Sequence, residues 1–289
     1  PKTQGSTESY IGSWIKARGK RDDFILASKI TGRSEMSWAR DSDKITRHTP
    51  AQIDEAIEKS LRRLQTDYID LYQLHWPDRA LPGFGFHSYK DYDAEDMVAL
   101  ETILERLNHH VVKGNIRHIG LSNESAWGTM KFLQIAEARG WPRMASIQNV
   151  YNLVARRFDY AQAEIAMRED VGLLAYSPLA QGYLTGKYKD GIPAGSRKAL
   201  FGQFLARYEN PGGVEAINAC NEAALDLGLT PVQFALKFVE SRQFVTSNIF
   251  SATSMAQLKD NIDAHDIEWS ADMEKAAHSI HKIYRSPVC

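Results

Sequence analysis

The sequence is poor in cysteine, with two in 289 residues. Cys220 falls in a helical pattern and Cys289 is the last residue, a spacing that suggests neither a disulfide framework nor a metal knuckle. A reducing compartment, the cytoplasm, is expected. Long apolar runs are missing too: none approaches the ~20 residues that crossing a bilayer takes. Charge of one sign is also absent. The formal net charge is -1 and no block of Lys or Arg occurs, which argues against a nucleic acid or an anionic membrane as partner. The chain starts at Pro1 in a polar segment without a charged-then-apolar leader, so no secretion signal is expected. What remains is an ordinary globular composition, 43% hydrophobic and 25% charged, in the size range that one barrel fills.

Periodicity orders that composition into alternating strands and helices. Tyr10, Ile11, Trp14 and Ile15 recur at helical spacing, with Tyr10 on the packed side and Gly19 closing the helix. Phe24 to Ile30 reads as a strand. Thr49-Pro50-Ala51-Gln52 is a helix start, with Thr as N-cap, Pro at the first helical position and Gln three after the cap. Tyr68 to His75 is a nearly unbroken apolar run, the signature of a strand buried in a parallel sheet. Further helices are expected from Met97 to Val111, Trp127 to Ala136 and Phe158 to Met167, and strands at 116–122, 144–148 and 171–176. Helical patterns follow at 199–208 and 213–227. Thr230-Pro231-Val232-Gln233 repeats the earlier capping device. A last strand, 244–250, precedes helices at 254–264 and 270–284.

Six strands alternating with helices imply parallel strands with helical crossovers. An open sheet binding a dinucleotide carries G-x-G-x-x-G after its first strand. The near match Gly83-Phe84-Gly85 lacks the third Gly and opens no helix, which leaves an α/β (β/α)8 barrel as the fold class. Six units fall two short of eight, and an unclosed barrel exposes two strand edges. The first two barrel strands are therefore expected upstream of Pro1, and residues 1–289 are read as one barrel domain, incomplete at its N-terminus.

Chemistry in such a barrel sits at the carboxyl ends of strands. Lys29 and His75 end two of them. Other constellations are weak. His278 and His281 are three apart with no third ligand near in sequence, so no metal is expected. His109-His110 at a helix end is read as solvated. No G-x-S-x-G elbow or Cys–His signature occurs, and no paired acids of a hydrolase end the strands.

Ser28-Lys29, Leu74-His75-Trp76-Pro77, Gly120-Leu121-Ser122-Asn123, Gln148, Tyr176-Ser177-Pro178-Leu179 and Ala252-Thr253-Ser254 with Gln257 and Asn261 follow one another at six strand ends. In that order they resemble the aldo-keto reductase superfamily, nearest to the branch that holds the potassium-channel β subunits and their bacterial relatives. The resemblance implies a (β/α)8 barrel that reduces a small-molecule carbonyl with NADP(H), using an Asp, Tyr, Lys and His tetrad. Lys29 is then the tetrad lysine and His75 the tetrad histidine. The Asp and Tyr belong to a segment at the end of the second barrel strand, which would precede Pro1. The resemblance also implies that Ser122, Asn123 and Gln148 hold the nicotinamide carboxamide and that Tyr176 stacks on the ring. The backbone of Ser177, Pro178, Leu179 and on to Gly182, with Lys187 and Arg197, would line the pyrophosphate and the phosphate-bearing ribose. Ser251, standing where the family usually has Gly, Thr253, Gln257, Asp260 and Asn261 would surround the adenosine. Substrate choice falls to the loops 31–48, 77–94 and 182–212. A cofactor-binding regulatory subunit is the alternative, and a homo-oligomer is compatible with either.

Overall fold

The computed structural model describes residues 3–41, 45–81, 97–202, 206–285 and 287–288. Gly83-Phe84-Gly85, much of the loop 77–94 and Cys289 lie outside them. Two compact units divide at Ile147 and Gln148, and no helix among the described residues is long and apolar enough to cross a membrane.

The first unit runs α1 (Ser6–Arg18), β1 (Ala27–Ile30), α2 (Pro50–Leu64), β2 (Ile69–Leu74), α3 (Leu100–Val112), β3 (Ile116–Ser122), α4 (Ala126–Arg139) and the start of β4 (Met144–Val150). β1 pairs with β2 and β2 with β3, all parallel. The second unit continues with α5 (Arg157–Ala161), α6 (Ala163–Arg168), β5 (Gly172–Tyr176), α7 (Arg197–Phe201), α8 (Gly213–Asp226), α9 (Pro231–Glu240), β6 (Val245–Ile249), α10 (Met255–Asp263) and α11 (Ala271–Ile283). β5 and β6 are parallel. Among the described residues the strands number six, β1 to β6 in chain order. Two additional strands are not seen among the described residues, where the sheet opens with β1 at Ala27. β1 has one buried residue of four and β6 none of five, whereas β2 is buried along nearly its whole length.

Several expectations need correcting. Tyr10 is 75% exposed: α1 instead buries Gly12 and Ile15. A Cβ on Gly12 would lie 2.2 Å from the Arg63 carbonyl oxygen, so the missing side chain is what seats α1 on the end of α2. The first strand starts three residues later than Phe24. Asp70 accepts the Leu26 N–H, and Asp70 and Leu71 both donate to the Leu26 carbonyl, while Phe24 turns away to meet Trp14 at 5.2 Å between rings. The helix read over 158–167 is broken at Gln162, whose φ of -115° interrupts it.

His110 is not solvated. It is 5% exposed and bridges helices, with Nε2 2.8 Å from Asp54 of α2 and Nδ1 2.9 Å from the Asn115 amide. The two Thr-Pro-x-Gln starts also differ. At α9, Thr230 accepts from the Gln233 N–H and the Gln233 side chain accepts from Thr230, a reciprocal cap. At α2, Thr49 caps the same way, but Gln52 turns inward, accepting from the Arg47 N–H at 2.7 Å and donating to the Ile45 carbonyl at 3.1 Å. Identical capping residues therefore do different jobs: one closes a helix end, the other pins the preceding loop.

Candidate active site

The register decides which side chains share a face. Lys29 pairs with Gln73, and Gln73 with Gly120. Side chains alternate along a strand, so His75, two beyond Gln73, and Ser122, two beyond Gly120, project to the same side as Lys29. His75 prolongs the ladder, its N–H donating to the Ile30 carbonyl at 2.9 Å. The opposite side carries Ile30, Tyr72, Leu74, Ile119 and Leu121, none more than 4% exposed. A parallel sheet covered on both faces is ordinarily apolar on both. Here one face is, while the other ends in an amine, an imidazole and a hydroxyl.

That polar face is desolvated. Burial lowers the Lys29 amine from its ordinary range. Burial, and then the charge of Lys29, bring the His75 imidazole down to about 4. Among the described residues neither group has a carboxylate or tyrosine partner. Asn123, in left-handed backbone at φ 54°, donates from Nδ2 to the His75 carbonyl at 2.9 Å and to Ser122 Oγ at 3.1 Å. Trp76 lies against the imidazole, with ring centroids 4.6 Å apart, and donates from Nε1 to the Arg33 carbonyl at 2.9 Å. A Cβ on Gly32 would fall 2.0 Å from the Trp76 carbonyl oxygen, so only glycine allows that approach. Beyond Trp76 the chain is anchored twice. Asp78 pairs with Arg47 at 2.5 Å and accepts from the Val98 N–H at 2.9 Å. Arg79 makes a two-pronged, buried pair with Glu124, at 2.5 and 3.1 Å. A shallow groove lined by Arg21, Leu61, Gln65 and Thr66 lies at the other end of β2 and has no part in this cluster.

The histidines predict a pH dependence. His48, fully buried, is brought down to about 3 by burial and then by the Arg40 charge. For His48 and His75 alike the folded pKa lies below the ordinary 6.5. Between those values the unfolded chain binds protons that the folded chain refuses, so folding weakens as pH falls from about 6.5 toward 4, and for His48 on to about 3. The melting temperature should drop between pH 7 and pH 5, and less steeply in His48→Asn. An equally steep decline in that variant would remove His48 from the account.

In the second unit, β5 delivers Tyr176. Burial raises its phenol pKa, opposed by the charge of Arg207 and a hydrogen bond with it. Ser177 follows at φ 56°, and Ala180, Gln181 and Gly182 are also left-handed. Pro178 is buried and Leu179 half-buried. Lys187 is exposed yet folds back, its Nζ 3.0 Å from where a Gly182 Cβ would sit. Arg197 is exposed at the first position of α7. Gln148 is half-buried on β4. At the start of α10, Ser254 caps the Gln257 N–H, and Gln257 Oε1 accepts from both the N–H and the hydroxyl of Thr253. Asn261 is buried and donates to the carbonyl of exposed Ser251 at 3.4 Å, whereas Asp260 faces solvent. Lys29, His75, Ser122 and Asn123 thus form one cluster, and the α10 residues another. Asn152, Arg207 and the Arg79–Glu124 pair escaped sequence reasoning, since each acts through a contact distant in sequence.

Parallel strand–helix units with reactive side chains gathered at strand ends define an α/β enzyme. The chain belongs to the aldo/keto reductase family of oxidoreductases, whose family model matches residues 3–282. It is 43% identical to "Protein tas" of Escherichia coli K12, over 99% of this chain and 83% of that protein. It is 34% identical to an "Aldo-keto reductase" of Babesia bovis, over 91% and 98%. It is also 25% identical to a "Putative voltage-gated potassium channel subunit beta" of Schizosaccharomyces pombe, over 91% and 72%.

Proposed function

We propose that residues 1–289 belong to a single (β/α)8-type catalytic domain that reduces an aldehyde or ketone to an alcohol with NADPH. The observation that carries this reading is the Lys29 amine beside the His75 imidazole on the polar face of β1 and β2, with no acid among the described residues to quench either. Hydride arriving at a carbonyl carbon leaves negative charge on oxygen, and preorganised donors in a desolvated site stabilise that charge strongly. With a pKa of about 4, His75 is neutral at pH 7. It orients the substrate carbonyl through an N–H and does not supply the proton. A Lys29 ammonium favours the anionic form of any phenol placed beside it, which makes such a phenol a better acid.

NADPH supplies the hydride when bound. Ser122, Asn123 and Gln148 offer the hydroxyl and amide groups that a carboxamide demands, and Tyr176 offers a flat ring held at its hydroxyl. Lys187 and Arg197 place cationic groups on the stretch that follows, which favours NADPH over NADH. The exposed N-terminus of α10 has backbone N–H groups suited to a phosphate. A cytoplasmic location accords with the free, buried Cys220.

Tryptophan fluorescence quenching by NADPH at concentrations where NADH is silent is the expected result. A protein that responds to neither loses the cofactor reading altogether. Oxidation of NADPH by an aldehyde panel then tests catalysis. Binding without turnover would instead favour a regulatory subunit, the reading suggested by the named channel relative and by the lack of a tyrosine beside Lys29 among the described residues.

A further inference from the structure

Asn152 is fully buried at the head of a tight turn. Its backbone exchanges hydrogen bonds with Ala155, N–H to carbonyl at 3.3 and 3.2 Å, and its side-chain Oδ1 accepts from the Val154 and Ala155 N–H groups at 3.0 and 2.9 Å. The side chain is therefore fixed before it reaches anything else. Its Nδ2 then donates to the Ser177 carbonyl at 2.9 Å. The preceding residue of the same turn, Tyr151, donates its N–H to the Tyr176 carbonyl at 3.3 Å. Two successive peptide carbonyls at the Tyr176–Ser177 junction, one on each side of the Ser177 α-carbon, are thus held by two successive residues.

That junction needs holding. Ser177 sits at φ 56°, a region that side chains with a Cβ avoid, and a non-glycine residue stays there only where its surroundings impose it. Relaxing Ser177 to ordinary backbone would swing the end of β5 and with it the Tyr176 ring. We propose that Asn152 is a positioning residue for cofactor binding: by clamping the Ser177 carbonyl it fixes the plane of Tyr176 against the nicotinamide. This rests on the reading of Tyr176 as the stacking residue.

The test separates the two claims with a pair of ligands, NADPH and 2′,5′-ADP, which lacks the nicotinamide half. Asn152→Asp keeps the Oδ1 acceptor but replaces the donor with a carboxylate oxygen facing the Ser177 carbonyl. Its Kd for NADPH should rise about tenfold, the order of one buried hydrogen bond lost, while that for 2′,5′-ADP stays unchanged. Adding Ser177→Gly, which takes a positive φ without strain, should recover part of the loss. If Asn152→Asp does not fold, Ser177→Val with Asn152 intact should show the same selective loss. Equal weakening of both ligands would make Asn152 merely structural and overturn the proposal, as would no weakening of either. Tyr176→Leu calibrates the premise. If it leaves NADPH binding untouched, the stacking reading falls and the positioning role with it. If it weakens NADPH alone while Asn152→Asp does nothing, only the positioning role falls.

Discussion

Lys29→Met should lower kcat/KM for carbonyl reduction by about 10²–10⁴-fold, the range that a positioned acid–base partner contributes, while NADPH affinity stays within a small factor. Methionine keeps the length and most of the apolar stem of lysine but removes the charge. Because the amine is desolvated and lacks a carboxylate partner among the described residues, its loss strands no buried counter-ion and the fold should tolerate it. The variant's His75 should also titrate higher, since the Lys29 charge is one of the two causes holding it down. A histidine proton resonance followed by NMR across pH 3–7 reads that shift without any turnover. Unchanged kcat/KM, or a His75 pKa that does not rise, would take the chemical role from Lys29.

Glu124→Ala should cost about 3–5 kcal/mol in urea denaturation, the price of leaving a buried charge without its partner. Arg79 and Glu124 have side chains only 9% and 4% exposed, and among the described residues Arg79 keeps its bond to Ser125 Oγ and its place over the Trp127 ring, but no carboxylate, once Glu124 is gone. Gly128 adds to the damage, because the space where its Cβ would lie is filled by Glu124 and Arg79. Removing both charges, in Glu124→Leu with Arg79→Met, should recover most of the loss, since an apolar pair of similar volume replaces a buried ion pair at little cost. The exposed Arg62–Glu58 pair of α2, 71% and 72% exposed, is the control: Glu58→Ala should hardly register. If Glu124→Ala is equally silent, the pair is not what ties the end of β2 to the end of β3.

Alternating periodicity and capping residues made most of the frame legible in the sequence. The bounds of β3 are those read from the apolar pattern, and Gly19 ends its helix in left-handed backbone as its position suggested. Lys29 and His75 were found because each ends a strand, and strand register alone then puts them on one face. Contacts between distant segments were not legible. Nothing local distinguishes His110 from His109, yet one is buried against Asp54 and the other is exposed. Gln52 and Gln233 occupy identical motifs, and only the loop at 45–47 makes them different. Tyr10 sits on the helical period of Ile11, Trp14 and Ile15, but Gly12 chose the packed side, because a close approach of backbones requires the smallest residue rather than the most apolar one. Asn152 offered no signal at all, being one polar residue after a strand until the Ser177 carbonyl is seen beside it.

Gly32 has a consequence for anyone who would retune carbonyl preference by grafting a foreign segment into the first loop. Its bare α-carbon admits the Trp76 carbonyl, and a methyl there would also stand 2.5 Å from the indole, prising Trp76 off the imidazole it shields. The indole N–H, by contrast, is received by the main chain of Arg33, which any residue provides. The exchangeable stretch therefore begins at Arg33 and stops before Thr46, because Thr46 and His48 are buried and Arg47 holds Asp78, and the graft must leave the glycine before it in place.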